Sequence, residues 1–130
     1  MSIKHEISSV EAFHKAFNLT LNVEPITDLG ENIHLLRYNL MKEENEEYLE
    51  ATKNGDLVEI ADALGDMLYI LCGTIVSHGL QDKMQDVFNE IQRSNMSKLD
   101  ENGNPIYRED GKVLKGPNYF RPNLKQFFNE

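Results

Sequence analysis

Between Leu40 and Ala51 the chain reads LMKEENEEYLEA, five glutamates in a stretch whose apolar residues recur at helical spacing. Acidic side chains on a helix are ordinarily a solvated face, so what matters is which of them share a side with the apolar stripe. With Leu40 at the centre of the stripe and a turn of about 100° per residue, Ile33, Leu36 and Ala51 fall within about 40° of it, and so do Glu44 and Glu47. Glu43 lies at about 60°, Glu50 at about 80° and Glu46 at about 120°. Glu46 and Glu50 are therefore expected to face water, with Glu43 on the border and Glu44 and Glu47 turned inward.

A second anomaly follows in EIADALGDMLYILCGTIV, where Asp62 and Asp66 stand at i and i+4 on one face of an otherwise apolar segment. Burying four ionised carboxylates without partners costs several kcal/mol each, and no run of Arg or Lys lies nearby on these segments. A divalent cation is the natural remedy. Oxygen-only ligands favour Mg²⁺, with Mn²⁺ as a substitute, over Zn²⁺, and Mg²⁺ keeps waters and accepts substrate phosphates as further ligands. Glu44, Glu47, Asp62 and Asp66 between two antiparallel helices therefore point to phosphate chemistry. Glu59 is explained equally well by the capping box Asp56-Leu57-Val58-Glu59.

The elements that must position these acids are helices. Ser8 and Glu11 have capping-box spacing, so a first helix is expected over SVEAFHKAFN. Asp28 and Glu31 repeat the spacing ahead of a long helix to about Lys53, which Asn54-Gly55 ends. Asp56 is the expected N-cap of a third helix from Leu57 to about Ser77, apolar on nearly every side and so central to a bundle. QDKMQDVFNEIQRSNMSK supplies a fourth, with Met84, Val87, Phe88 and Ile91 inward. The tail changes character: PIYR and KVLK flank Glu109-Asp110-Gly111, a turn signal for a small hairpin. The expected architecture is all-α, one domain over residues 1–130: a four-helix bundle over about 8–98 and a basic, hairpin-like extension over about 99–130.

Composition narrows the partners. With 22 acidic against 13 basic residues the net charge is −9, which opposes association with nucleic acid polymers or an anionic membrane. The lone Cys72 sits in an apolar run and reads as a buried, inert thiol. MSIKHEISS lacks the apolar core of a signal peptide, and Asp62 and Asp66 interrupt the longest apolar stretch, so a soluble cytoplasmic protein is expected. An apolar third helix that one subunit does not fully cover predicts a homo-oligomer.

The acids, in their context, resemble the all-α nucleoside triphosphate pyrophosphohydrolases, the superfamily of MazG, the dimeric dUTPases and phosphoribosyl-ATP pyrophosphohydrolase. The hallmark there is EExxE on one helix and ExxD on the next. Here Glu43-Glu44-Asn45-Glu46-Glu47 is similar to the first part and EIADALGDMLYI to the second. FHKAFN, RYNLMKEE and SNMSK followed by EDGKVLKGPNYFRP resemble the phosphoribosyl-ATP-pyrophosphohydrolase-like branch. The chain departs from the pattern at Ala63, where the ExxD glutamate would stand. Either Asp62 replaces it, or Glu59-Ile60-Ala61-Asp62 is the motif in a shifted register. The resemblance implies a MazG-like bundle, assembled as a homodimer or homotetramer, and Mg²⁺-dependent cleavage of a nucleoside triphosphate to monophosphate and pyrophosphate, as in nucleotide-pool housecleaning, with Glu43 or Glu47 as the base that takes a proton from the attacking water. Asn95 and Lys98 resemble positions that contact substrate, and Arg93, Lys112 and Lys115 are further candidate phosphate donors.

Two other classes compete. Glu11-Ala12-Phe13-His14 and Glu31-Asn32-Ile33-His34 are ExxH motifs of the kind a di-iron carboxylate bundle uses, although His34 and Glu31 lie about 120° and about 180° from the Leu40 stripe. A non-catalytic nucleotide-binding or acidic interaction module would carry the same acids without turnover.

Overall fold

The computed structural model describes residues 2–128, and within them the chain is all-α. Four helices follow in order: α1 (Lys4–Ala16), α2 (Glu31–Lys53), α3 (Leu57–Ser77) and α4 (Met84–Met96). The chain divides into two compact units, one ending at Asp82 and one starting at Lys83. The division falls before α4, so that helix groups with the tail, whereas the sequence places the change of character after it.

In the first unit α3 packs against both α1 and α2. Asp56 caps α3 as expected, its Oδ1 accepting from the Glu59 N–H at 3.1 Å. Gly55, with φ of 63°, makes the tight turn that lets α2 and α3 run as a hairpin. Ala51 and Ala63 are buried on these two helices, small residues where the pair comes together. The other buried apolar residues of the unit are Ile7 and Val10 on α1 and Cys72, Ile75 and Val76 on α3. Burial holds the Cys72 thiol above its ordinary value, with Glu6 adding to the effect, as an inert thiol requires.

α3 is only half covered. Its C-terminal half is buried, but Leu64, Leu68 and Leu71, at i, i+4 and i+7, are each about half exposed. By length and composition it could cross a bilayer, with a mean hydropathy of 1.5, yet it carries Glu59, Asp62 and Asp66. α1 starts earlier than its capping signal: Ser8 lies inside the helix and Ile3, at the N-cap, offers no side-chain bond. Phe13 and Phe17 stack on each other with ring centroids 4.4 Å apart but both stay exposed, so neither is a core residue of the single chain.

The 17–30 segment is pinned to the end of α3. Asn22 donates through its backbone N–H to the Val76 carbonyl at 3.1 Å and through Nδ2 to the Ser77 carbonyl at 2.7 Å. Ile26 donates to the His78 carbonyl at 2.9 Å, and its own carbonyl accepts from His78 Nδ1 at 2.8 Å.

In the second unit the polar side of α4 is the buried one. Val87, Glu90 and Ser94, at i, i+3 and i+7, are buried; of the expected inward set Val87 is buried and Met84 part-buried, whereas Phe88 and Ile91 are exposed. The tail explains it, because an irregular chain brings unpaired backbone groups that must find partners. Glu90 accepts from the Asn123 N–H at 2.7 Å, and Ser94 Oγ donates to the Phe120 carbonyl at 2.8 Å. The hairpin turn forms where expected: Arg108 and Leu114 N–H groups donate to the Lys112 and Ile106 carbonyls at 2.7 and 2.8 Å, around Gly111 with φ of 89°.

Gly79 and Gly55 give a matched test of this packing. Both have positive φ, but a Cβ on Gly79 would run into the Glu24 carbonyl and the backbone of Pro25, whereas nothing lies within 4 Å of Gly55. Gly55→Ala should cost about 1–2 kcal/mol for the left-handed backbone alone. Gly79→Ala should cost clearly more in urea unfolding, and equal losses would refute the close approach of the 24–25 backbone.

Candidate active site

The α2–α3 hairpin brings acids from both helices together in two adjoining groups. In the first, Glu44 is hydrogen-bonded to Glu47 on its own helix and to Asp66 across on α3. In the second, Glu47, Glu50, Asp56, Glu59 and Asp62 line a cleft of about 370 Å³ at the bend of the hairpin, together with Ala51 and Asn54. Glu47 belongs to both.

The antiparallel pairing explains the grouping. Glu44 faces Asp66, and one turn closer to the bend the same register sets Glu47 and Glu50 beside Glu59 and Asp62. Ala63, buried between the helices, has no carboxyl to offer. The cleft therefore draws on the shifted pair Glu59-Ile60-Ala61-Asp62. Asp62 and Asp66 share a helix face but are divided between the two groups.

Glu50 is exposed, as the sequence reading has it, and from that exposed position it lines the cleft. At about 80° from the stripe it sits at the rim of the buried face, and the cleft is a feature of that rim. The signal was available: Glu46-Glu47-Tyr48-Leu49-Glu50 is also an EExxE, one turn beyond the one first read, and it pairs with the shifted ExxD. Glu43 and Glu46 are exposed and stand outside both groups.

Among the described residues lining the cleft none is basic. The repulsion appears in Glu44, whose carboxyl is pushed up to about 7, first by burial, then by hydrogen bonds with Glu47 and Asp66 and by their charges. Carboxyls bond to one another only through a proton, so near neutral pH Glu44 holds one that a cation could displace. The oxygen-only donor set fits Mg²⁺ or Mn²⁺. Among the described residues no three His, Cys, Asp or Glu side chains form a ready cage around one point. An open carboxylate wall is the form in which Mg²⁺ keeps waters and takes substrate oxygens.

The other candidates are placed by contacts of their own. Arg93 is held by Glu90 through two hydrogen bonds, at 2.9 and 3.1 Å, and lies 4.4 Å over the Phe120 ring. Lys115 Nζ lies 5.0 Å over the Tyr119 ring. Asn95 and Lys98 line a cleft of about 380 Å³ with Met96, Leu99, Pro105 and Val113. Lys112 is exposed, beyond the hairpin turn. The histidines of the ExxH motifs are engaged away from the acids: His14 Nδ1 donates to the Thr20 carbonyl at 2.8 Å, and His34 Nε2 accepts from the Leu29 N–H at 2.9 Å. Neither lines the acidic cleft.

The proton on Glu44 gives a signed pH dependence. Its folded pKa of about 7 lies above the ordinary 4.5, so between those values the folded chain binds more protons and the metal-free protein loses stability as pH rises. Glu90 acts at lower pH in the opposite sense. Hydrogen bonds from Arg93 and Asn123 hold its carboxyl below the ordinary 4.5, giving stability that is present above that value and lost on acidification. Urea midpoints of the metal-free chain should thus decline from pH 5 to pH 8, and Glu44→Gln should flatten the decline. A flat native profile would remove the shared proton.

Comparison with known proteins adds the family. Among curated proteins the chain has no match. The phosphoribosyl-ATP pyrophosphohydrolase family matches residues 10–95, which take in the whole α2–α3 hairpin and both groups of acids. The chain belongs to the phosphoribosyl-ATP pyrophosphohydrolase family, and with it to the MazG-like superfamily, and is a hydrolase of nucleotide phosphoanhydrides.

Proposed function

We propose that this chain is a Mg²⁺-dependent enzyme that cleaves nucleoside triphosphates, ribo or deoxy, to the monophosphate and pyrophosphate, clearing nucleotide pools in the cytoplasm. The observation that carries the reading is the cleft at the α2–α3 bend, walled by five carboxylates with no basic residue among the described lining. Such a surface repels a triphosphate unless cations intervene. Glu47, Glu50, Glu59 and Asp62 would hold Mg²⁺. A metal held there would supply positive charge for the phosphates and would make an attacking water more acidic. Glu44, poised near neutrality beside Glu47, is suited to take that water's proton.

Asn95, Lys98, Lys112 and Lys115 are the proposed substrate donors, whereas Arg93 is committed to Glu90. The exposed stripe of Leu64, Leu68 and Leu71 on α3 supports a homodimer or homotetramer, since a monomer rarely leaves so much contiguous apolar surface in water.

Product analysis by ion-exchange chromatography tests the reaction, with each common and deoxy nucleoside triphosphate and with phosphoribosyl-ATP, in Mg²⁺ and in EDTA. Pyrophosphate should form only with metal, and Glu47→Gln and Glu50→Gln should each lower kcat by about 100-fold or more. Turnover in EDTA would remove the metal, an unaffected Glu50→Gln would remove that ligand set, and no cleavage of any nucleotide would remove the function. Sedimentation equilibrium should give a multiple of 15.0 kDa. A monomer would refute the assembly.

A further inference from the structure

A second, smaller pocket lies on the same hairpin, away from the bend. It measures about 140 Å³ and is lined by His14, Asn18, Leu19, Thr20, Ile33, Leu36, Arg37 and Ser77. Arg37 is the unusual member. Its Nε donates to Thr74 Oγ1 at 3.0 Å and its Nη2 to the Ile70 carbonyl at 2.7 Å. Among the described residues no carboxylate lies within ion-pair distance of it. It is a half-buried cation facing only neutral acceptors, and burial holds its pKa below the ordinary 12.5. Nη1 and the second Nη2 hydrogen have no partner among the described residues, which leaves a fork of donors unused.

His14 completes the pattern. The ring is buried at 3 % exposure, and because Nδ1 donates to the Thr20 carbonyl, Nε2 of the neutral ring is left as an acceptor. Both groups converge on Gly73, where a Cβ would meet Arg37 Nη2 and would stand 2.9 Å from His14 Nε2. A charged donor fork thus sits beside a single acceptor, between the apolar walls of Leu19, Ile33 and Leu36. Those walls suit a flat ring better than a phosphate. The matching edge is a carbonyl, whose two lone pairs can accept both fork donors, next to an N–H. A ring nitrogen has one lone pair and would leave one donor of a desolvated cation unpaired.

The position fits the other end of a nucleotide. Arg37 and Glu44 are seven residues apart on one face of α2, about 10.5 Å along its axis, and Gly73 and Asp66 have the same spacing on α3. We propose that this pocket receives the nucleobase, with Arg37 and His14 selecting bases that present a lactam edge, such as hypoxanthine, guanine or uracil, over the amino-substituted edges of adenine and cytosine. The inference rests on the nucleotide reading of the acidic cleft but assigns a different region and a different property.

Binding of inosine and adenosine monophosphates tests it by calorimetry and NMR, in EDTA and again in Mg²⁺, since neither compound can release pyrophosphate. Inosine monophosphate should bind about tenfold tighter, with shifts at His14 Nε2 and Arg37 Nε–H. Arg37→Lys, which keeps the charge but loses the fork, should abolish the preference. If that variant fails to fold, the shifts in the native protein decide. Equal binding in both conditions, or shifts away from α1 and the Arg37 turn, would overturn the assignment. Failure of the hydrolytic reading would appear separately, as absent triphosphate cleavage with the inosine preference intact.

Discussion

Carboxylates crowded onto one rim of the α2–α3 hairpin, with no basic residue among the described cleft lining, set the terms for this protein. Their mutual repulsion disfavours having every one of them ionised at once. In the metal-free chain the relief is a proton on Glu44, shared with Glu47 and Asp66. A proton is a weak substitute for a divalent cation, and the acids accept it because the hairpin holds them in place. The Asp56 cap, the turn at Gly55 and the small residues Ala51 and Ala63 fix the two helices close together. Geometry imposed by apolar packing thus stores electrostatic tension that a metal ion with its phosphate ligands would release.

Helix pairing also explains why Ala63 need not mark a degraded site. One turn of helix separates the two ways of matching EExxE with an acidic pair, and the chain carries acids for both. In the register of Glu44 and Asp66, the position one turn nearer the bend is Ala63. In the register of Glu47 and Glu50, the facing residues are Glu59 and Asp62, and the carboxylate wall is complete. Glu59 fills two roles, donating its backbone N–H to the Asp56 cap while its side chain lines the cleft.

The same hairpin separates two kinds of chemistry along its length. Acids gather from Glu44 to the bend, and a donor fork without a counter-charge among the described residues lies about two turns before Glu44 on the same face of α2. Such polarity matches a ligand with a charged end and a heterocyclic end. α1 and the 17–30 segment build part of the second pocket: α1 packs on α3 with Ile7 and Val10 buried, and the segment is held to the end of α3 by backbone hydrogen bonds from Asn22 and Ile26.

Local signals determined what depends on local energies. Asp56 as a cap, Asn54-Gly55 as a break and Glu109-Asp110-Gly111 as a turn were legible because their partners lie within a few residues. That Glu44, Glu47 and Asp66 come together was legible from helical rotation, although Glu44 alone is part-buried and Glu47 and Asp66, expected inward, stay exposed because the site is an open face of the hairpin. Rotation failed for Phe88 and Ile91, because it assumes that the apolar stripe and the buried face coincide. In a chain with more apolar surface than its own fold covers, they do not. Leucines on α3 stay exposed, Phe88 and Ile91 point outward, and α4 buries Glu90 and Ser94 to satisfy the backbone of the tail. The sequence by itself determined the helices, the acidic chemistry and the family resemblance. Tertiary structure decided which acids meet, because helix register and the pairing of backbone polar groups are settled between segments far apart in the chain.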